Sequence, residues 1–266
     1  MIDFLAGLDV SIFQALNNFC GWNPWLDHII FHGELLKGTL FIGIFGLLWH
    51  WPDKDMPLRR ETFVIMMPVV ALSLVVNRAI STLLPFRNRP MYSIGANAPA
   101  FEWHPDLEHW SSFPSDNATF FFAIATGLWL ISKRWGLFFG VFATFVSLTR
   151  VYQGVHYPGD ILLGALIGIS ISLAVIREPV RKLIAAPILA LEPRYPSYFY
   201  GVFFLALAEL SAGFPNFRSF GVALVRLYTG PPPTTDLHSR TPALLQLQLQ
   251  QRHFGEAAEP SAAPNQ

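Results

Sequence analysis

Six stretches of this sequence, at 35–49, 63–84, 118–131, 137–151, 161–176 and 198–214, are apolar and long enough, or nearly so, to cross a bilayer. A hydrocarbon core about 30 Å thick takes about 20 helical residues, so the shorter stretches need tilt or polar helix ends to complete the crossing. In lipid every backbone N–H and C=O must find a partner within the protein, which leaves helices and closed barrels. Stretches of this length are helices. The fold expected is all-α, a polytopic membrane helix bundle with about six transmembrane helices. With 266 residues, 52% hydrophobic and 14% charged, the chain is too apolar for an ordinary soluble domain and too long for a single anchor. Ahead of the first stretch, Phe4, Leu5, Leu8, Ile12, Leu16 and Phe19 recur at helical spacing around Asp9 and Asn17. That pattern predicts an N-terminal interfacial helix lying on the membrane or, with equal weight, a helix packed over the bundle.

Charge sets the expected orientation. Lys54, Arg59 and Arg60 lie between the first two stretches, Lys133 and Arg134 between the third and fourth, and Arg177, Arg181, Lys182 and Arg194 between the fifth and sixth. Residues 1–34 and 91–116 contain no Lys or Arg. The positive-inside rule makes the basic loops cytoplasmic and the others external, as in a multi-pass protein of a bacterial-type inner membrane. The first residues lack the basic stretch and cleavage pattern of a signal peptide, so the N-terminus is expected to be retained. Lysines plus arginines equal aspartates plus glutamates at 18 each, so no net field argues for nucleic acid as a partner. The partners expected are the bilayer and a lipid; the oligomeric state is open. Cys20 is the only cysteine, which excludes an internal disulfide and argues against a thiolate metal site. Residues 1–229 are read as one membrane-embedded domain. From 230 a Pro-rich start, a Leu/Gln alternation and an Ala/Glu/Pro/Ser end predict a disordered tail through 266.

Three motifs fall at the external ends of these stretches: FRNRP at 86–90, FPSDNA at 113–118 and TRVYQGVHYPGD at 149–160. In the third, Pro158 suits the first turn of a helix, which places Asp160 within reach of the His156 ring. A hydrogen bond there would choose the tautomer and leave the other ring nitrogen as a nucleophile toward phosphorus. The alternative is a loop histidine satisfied by a nearby carboxylate. In the second motif Ser115 is an N-cap candidate, and a helix start with a hydroxyl is also an anion site. Asp116 beside it must then be turned away or neutralised. In the first motif the planar forks of Arg87 and Arg89 suit phosphate oxygens, although interfacial arginines also meet headgroups. Arg78 lies inside the second stretch, where a charge faces a polar cavity or snorkels to the surface.

The three motifs in this order resemble the type-2 phosphatidic acid phosphatase family, membrane relatives of bacterial acid phosphatases and vanadium haloperoxidases. The family pattern is Lys, six residues, Arg-Pro; then Pro-Ser-Gly-His; then Ser-Arg, five residues, His, three residues, Asp. Arg89-Pro90 matches the end of the first part and Pro114-Ser115 the second, while Arg150, His156 and Asp160 keep the spacing of the third, within a core of 63–176. Three positions depart from it. Thr149 replaces a serine and keeps its hydroxyl. Thr82 stands where the family has lysine, so that charge would come from Arg78 or Arg87. Asn117 stands where the family has the histidine that protonates the leaving group, and an amide cannot be a general acid.

The resemblance implies a metal-independent, cofactor-free hydrolase in which His156 attacks phosphorus, Asp160 orients it, and a phosphohistidine is hydrolysed by water. Arg89, Arg150, Ser115 and backbone N–H groups would hold the phosphoryl oxygens. His104 or His109 could carry a proton in place of Asn117. The function expected is a lipid phosphatase acting on a lipid monophosphate or diphosphate at the extracytoplasmic face, with a polyprenyl diphosphate favoured over phosphatidic acid. Two alternatives stand beside it: a lipid phosphotransferase, and a catalytically silent relative that binds or transports a phospholipid.

Overall fold

The structure is a computed structural model that describes residues 2–52, 54–94, 96–97 and 110–211. Every regular element among them is helical: α1 (Ile2–Asn17), α2 (Pro24–His50), α3 (Met56–Leu83), the single turn α4 (Pro90–Ser93), α5 (Asp116–Ile131), α6 (Lys133–Tyr152), α7 (Pro158–Val175), α8 (Glu178–Leu189) and α9 (Pro196–Ser211). A helix thus covers each expected apolar stretch, in whole or in large part. Among the described residues α3, α6 and α7 are long and apolar enough to cross a membrane, while α5 is apolar but shorter. The tail expected from 230 and the histidines at 104 and 109 lie outside the described residues.

Helix boundaries follow local chemistry. Asn23 caps α2 by accepting from the N–H groups of Trp25 and Leu26, with Pro24 opening the first turn. Ser132 alone separates α5 from α6 and makes the two antiparallel neighbours. Helix α8 was not expected. Its Pro187 and three charged residues break the apolar pattern, yet Ala185 is buried and it packs on α3.

Helices α5 and α7 touch backbone to backbone. A Cβ on Gly164 would lie 2.5 Å from the Ser115 carbonyl oxygen, and one on Gly168 would lie 2.3 Å from that of Thr119. Small residues permit this approach, as in membrane helix pairs generally. Polar side chains finish the contact: Thr119 donates to Asn77 at 2.9 Å on α3, and Ser172 donates to the Ala123 carbonyl at 3.2 Å. Below this layer Phe45, Trp49, Phe63, Ile124 and Leu128 fill the core, with Phe45 stacked on Phe63 at 4.0 Å.

The two ends of the bundle differ. At one end α3 begins, α7 gives way to α8, and ion pairs join Arg60 to Glu192 at 2.5 Å and Arg181 to Glu61 at 2.9 Å. At the other end α3 finishes, α5 starts, α6 finishes and α7 starts, which brings the three motifs together. Helix α1 packs over that second end. Phe13 is buried against Tyr157 at a ring separation of 5.5 Å, and Asn17 donates to the Tyr152 carbonyl at 2.8 Å. Its other face leaves Phe4, Leu8 and Ile12 exposed.

Candidate active site

The site is assembled on the short connection from α6 to α7. Tyr157 caps α7, and its N–H donates to Asp160 Oδ2 at 2.8 Å, so Asp160 is fixed by the helix start itself. Asp160 is fully buried, and its Oδ1 takes Arg87 Nη1 at 2.6 Å. Its backbone carbonyl accepts from the Ser115 N–H at 3.0 Å, which ties the starts of α5 and α7 together. Gly154, at φ +74°, supplies the left-handed step that turns the chain out of α6.

His156 is 5% exposed. Its Nδ1 lies 2.8 Å from the Ser112 carbonyl oxygen and 3.4 Å from Asp160 Oδ2. The hydrogen bond expected to Asp160 alone therefore runs first to a backbone carbonyl, with the carboxylate just behind it. A carbonyl only accepts, so Nδ1 carries the proton and Nε2 keeps a lone pair. Nε2 faces Arg89 Nη1 at 3.4 Å. Burial lowers the pKa of His156; Asp160 offsets this in part, while Arg89 and Arg150 lower it further. The ring is neutral near pH 7.

The two arginines of the motifs arrive from different elements. Arg89, just before α4, is buried and donates to the Val155 carbonyl at 3.2 Å. Burial pushes its guanidinium down to about 10, against the raising effect of Asp116 and Asp160, so it stays charged at neutral pH. Arg150 closes α6 and donates to Gln153 Oε1 at 3.1 Å. With its amide oxygen toward Arg150, Asn117 accepts from Nε at 3.0 Å and Nη2 at 3.2 Å. Ser115 is completely buried and caps α5 through the Ala118 N–H at 3.4 Å.

Three of the candidate site residues, Asp116, Arg78 and Arg87, are held in ion pairs. Asp116 is neutralised by Arg78 at 2.7 Å and also takes Asn77 at 2.6 Å, while Arg78 lies 4.5 Å over the Trp110 ring. Arg87 reaches His156 only through Asp160; its other nitrogen meets Asp9 of α1 at 2.6 Å. Thr82 turns its hydroxyl back to the Ala79 carbonyl. The site thus gathers His156, Asp160, Arg89, Arg150, Ser115 and Asn117, with Arg78, Asp116 and Arg87 in ion pairs around them. The Ser112 carbonyl and Asp9 were not anticipated. A backbone acceptor leaves no mark in a sequence, but Asp9, Phe13 and Asn17 recur every four residues and mark the inward face of α1. Among the described residues no three His, Cys, Asp or Glu side chains converge as metal ligands would.

Residues 62–183 match the model of the PAP2 superfamily. The lipid A 4'-phosphatase of Bacteroides thetaiotaomicron is 30% identical over 185 residues, 63% of this chain and 75% of that protein. The chain belongs to the PAP2 superfamily. It is also similar to the bacitracin transport permease protein BcrC of Bacillus licheniformis, 28% identical over 168 residues, covering 61% of this chain and 76% of that one. YbjG of Escherichia coli (strain K12), provisionally named an undecaprenyl-diphosphatase, is 29% identical over 167 residues, 62% and 79% of the two chains. In this PAP2 protein all three motifs fall inside the matched segment, whereas α1 lies before it.

Proposed function

We propose that this PAP2 protein is a membrane lipid phosphatase that works through a phosphohistidine on His156. The observation that carries this reading is the ring's setting: Nδ1–H is tethered to the Ser112 carbonyl, and the Nε2 lone pair points to Arg89. Nε2 attacks phosphorus as the bond to the leaving oxygen breaks. Arg89, Arg150 and N–H groups at the start of α5 balance the charge on the phosphoryl oxygens. Asp160 stabilises the positive ring that results. Water then cleaves the P–N bond, releasing inorganic phosphate and restoring neutral His156. No step calls for a metal ion.

The substrate we favour is a polyprenyl diphosphate, in line with the name of the YbjG relative. Asn117 offers its amide oxygen to Arg150 and has no proton to give a poor leaving group. A lipid phosphate leaves without one. We further read α2, α3, α5, α6, α7 and α9 as the six spans and the outer face of α1 as lying in the interface. The membrane domain runs through 1–229 and the tail through 230–266. The motif end faces the exterior of a bacterial-type inner membrane, opposite the basic end.

The deciding experiment uses purified protein with chelator present, lipid monophosphates and diphosphates as substrates, and acid-labile phosphate trapped on the protein. Turnover with label on His156 supports the reading. Lipid binding without turnover or label in wild type would favour a silent relative. Sidedness is separable: in a Cys20→Ser background, Ile94→Cys should react with an impermeant thiol reagent from outside and Lys54→Cys should not. The reverse pattern moves the site to the cytoplasm.

A further inference from the structure

Asp9 lies 78 residues before Arg87 and outside the matched PAP2 segment, yet it completes the charge chain behind His156. Its Oδ2 takes Arg87 Nη2 at 2.6 Å and its Oδ1 takes the Gly159 N–H at 2.7 Å, in the first turn of α7. Gly159 admits it closely, since a Cβ there would lie 3.0 Å from Oδ2. Arg87 in turn gives Nη1 to Asp160 Oδ1 at 2.6 Å, and its guanidinium lies 4.0 Å over the Tyr157 ring. The Arg87 main chain is pinned as well, its N–H near Ser111 Oγ at 3.2 Å and its carbonyl accepting from the Ser112 N–H at 2.9 Å. That second bond belongs to the same residue whose carbonyl holds the His156 ring.

We infer that Asp9 is a positioning residue: by holding both Arg87 and the start of α7, it fixes the Asp160 carboxylate behind the nucleophile and makes α1 part of the catalytic apparatus. Asp160 divides its two oxygens, Oδ1 to Arg87 and Oδ2 to the Tyr157 N–H and the His156 side. That division requires a guanidinium held from behind, because a fork with only one bonded arm can rotate. Arg87 is the exposed link, with 31% of its side chain accessible against 13% for Asp9 and none for Asp160. Asp9 therefore supplies what burial does not. The charged groups around the ring are Asp160, Arg89 and Arg150, and those around Arg87 are Asp160 and Asp9. Neither Asp9 nor Arg87 touches the Nε2 side where phosphorus is attacked, so their loss should act on the chemical step and not on lipid binding.

This inference rests on the hydrolytic reading above, and the test separates the two. Full-length protein carrying Asp9→Asn, Asp9→Glu, Arg87→Gln or the double substitution Asp9→Asn with Arg87→Gln is assayed for kcat and KM on a lipid diphosphate, with thermal midpoints as a folding control. Misplaced catalytic groups cost about 10- to 100-fold. Asp9→Asn should lower kcat by about 10-fold with KM within about 2-fold, and Asp9→Glu should restore most of it. In the Arg87→Gln background Asp9→Asn should add nothing further, because the two act as one unit. Should Asp9→Asn fail to fold, Gly159→Ala crowds the same carboxylate from α7 and should lower kcat with KM kept. Wild-type kcat in Asp9→Asn, a loss confined to KM, or full additivity with Arg87→Gln overturns the role of Asp9 alone. Absence of turnover in wild type overturns the hydrolytic reading beneath it.

Discussion

The two ends of this bundle both hold buried arginines, but they use them differently. At the basic end Arg60 meets Glu192 and Arg181 meets Glu61, each guanidinium against a carboxylate on another segment. Arg59 there donates to the Leu48 carbonyl at 2.5 Å and to that of Trp51. These contacts tie α2, α3, α8 and the turn before α9 together. At the motif end Arg78 and Arg87 are also paired with carboxylates, and two further arginines gather at the His156 side: Arg89 lies 3.4 Å from His156 Nε2 and donates to the Val155 carbonyl, and Arg150 meets the amides of Gln153 and Asn117. Paired arginines stiffen a scaffold. Arg89 and Arg150 both lower the pKa of the buried His156 ring, and a group perturbed by burial and by named charges marks a functional-site candidate.

The sharpest way to break the contrast is at the nucleophile. His156→Ala should reduce phosphate release by about 10⁴-fold or more, with normal membrane insertion, because no span is altered. Residual turnover near wild type would remove the proposed chemistry.

Arginine substitutions at the two ends come next. Arg89→Ala should lower kcat by about 10²- to 10³-fold, the scale of losing a preorganised charge donor. Arg60→Ala should leave kcat within about 2-fold but cost about 1–3 kcal/mol of stability, because Glu192 loses its guanidinium and keeps the Tyr200 hydroxyl. Chemical or thermal unfolding of the same preparations checks the second half. A kinetic loss at Arg60, or none at Arg89, would erase the distinction between the ends.

Asn117→His sharpens the same comparison on the substrate side. An alkoxide leaving group has a conjugate acid near the pKa of water, about 15.7, whereas a leaving phosphate has a second pKa near about 6. General acid catalysis contributes about 10² to 10⁴, so the substitution should raise monoester kcat/KM by about 10-fold or more and change the diphosphate far less. Equal gains on both would show that the leaving group is not what Asn117 limits.

The smallest effect is in pH. Burial lowers the His156 pKa below its ordinary value of about 6.5, so the nucleophile stays unprotonated as pH falls past that point. The acid limb of kcat/KM should therefore lie below about 6.5. The linked stability has a definite sign: below about 6.5 the unfolded chain takes up a proton that the folded ring resists, so stability is full above that pH and declines beneath it. His156→Asn should flatten the thermal midpoint against pH in that window.

Much of this was legible in residue order. Apolar stretches placed the six main helices, and the basic loops were assigned to one end, where Arg60 and Arg181 are found. The spacing of Arg150, His156 and Asp160 reads directly because helix α6, a five-residue connection and the first turn of α7 are local structures, with Pro158 and the capping carboxylate setting the geometry. What the sequence could not decide was which partner each charge would take. Arg78 and Arg87 are suitable phosphate residues by type and Asp116 is a carboxylate that needs neutralising, and only the approach of α3 to α5, and of α1 to α7, turns the three into ion pairs. Likewise the tautomer of His156 depends on a carbonyl 44 positions away, and Asp9 meets Gly159 across 150 residues. Helices are dictated by neighbours within a few positions, so sequence determined them. A buried charge chooses among all acceptors the packed helices bring within about 3 Å, and that choice exists only once the bundle has closed.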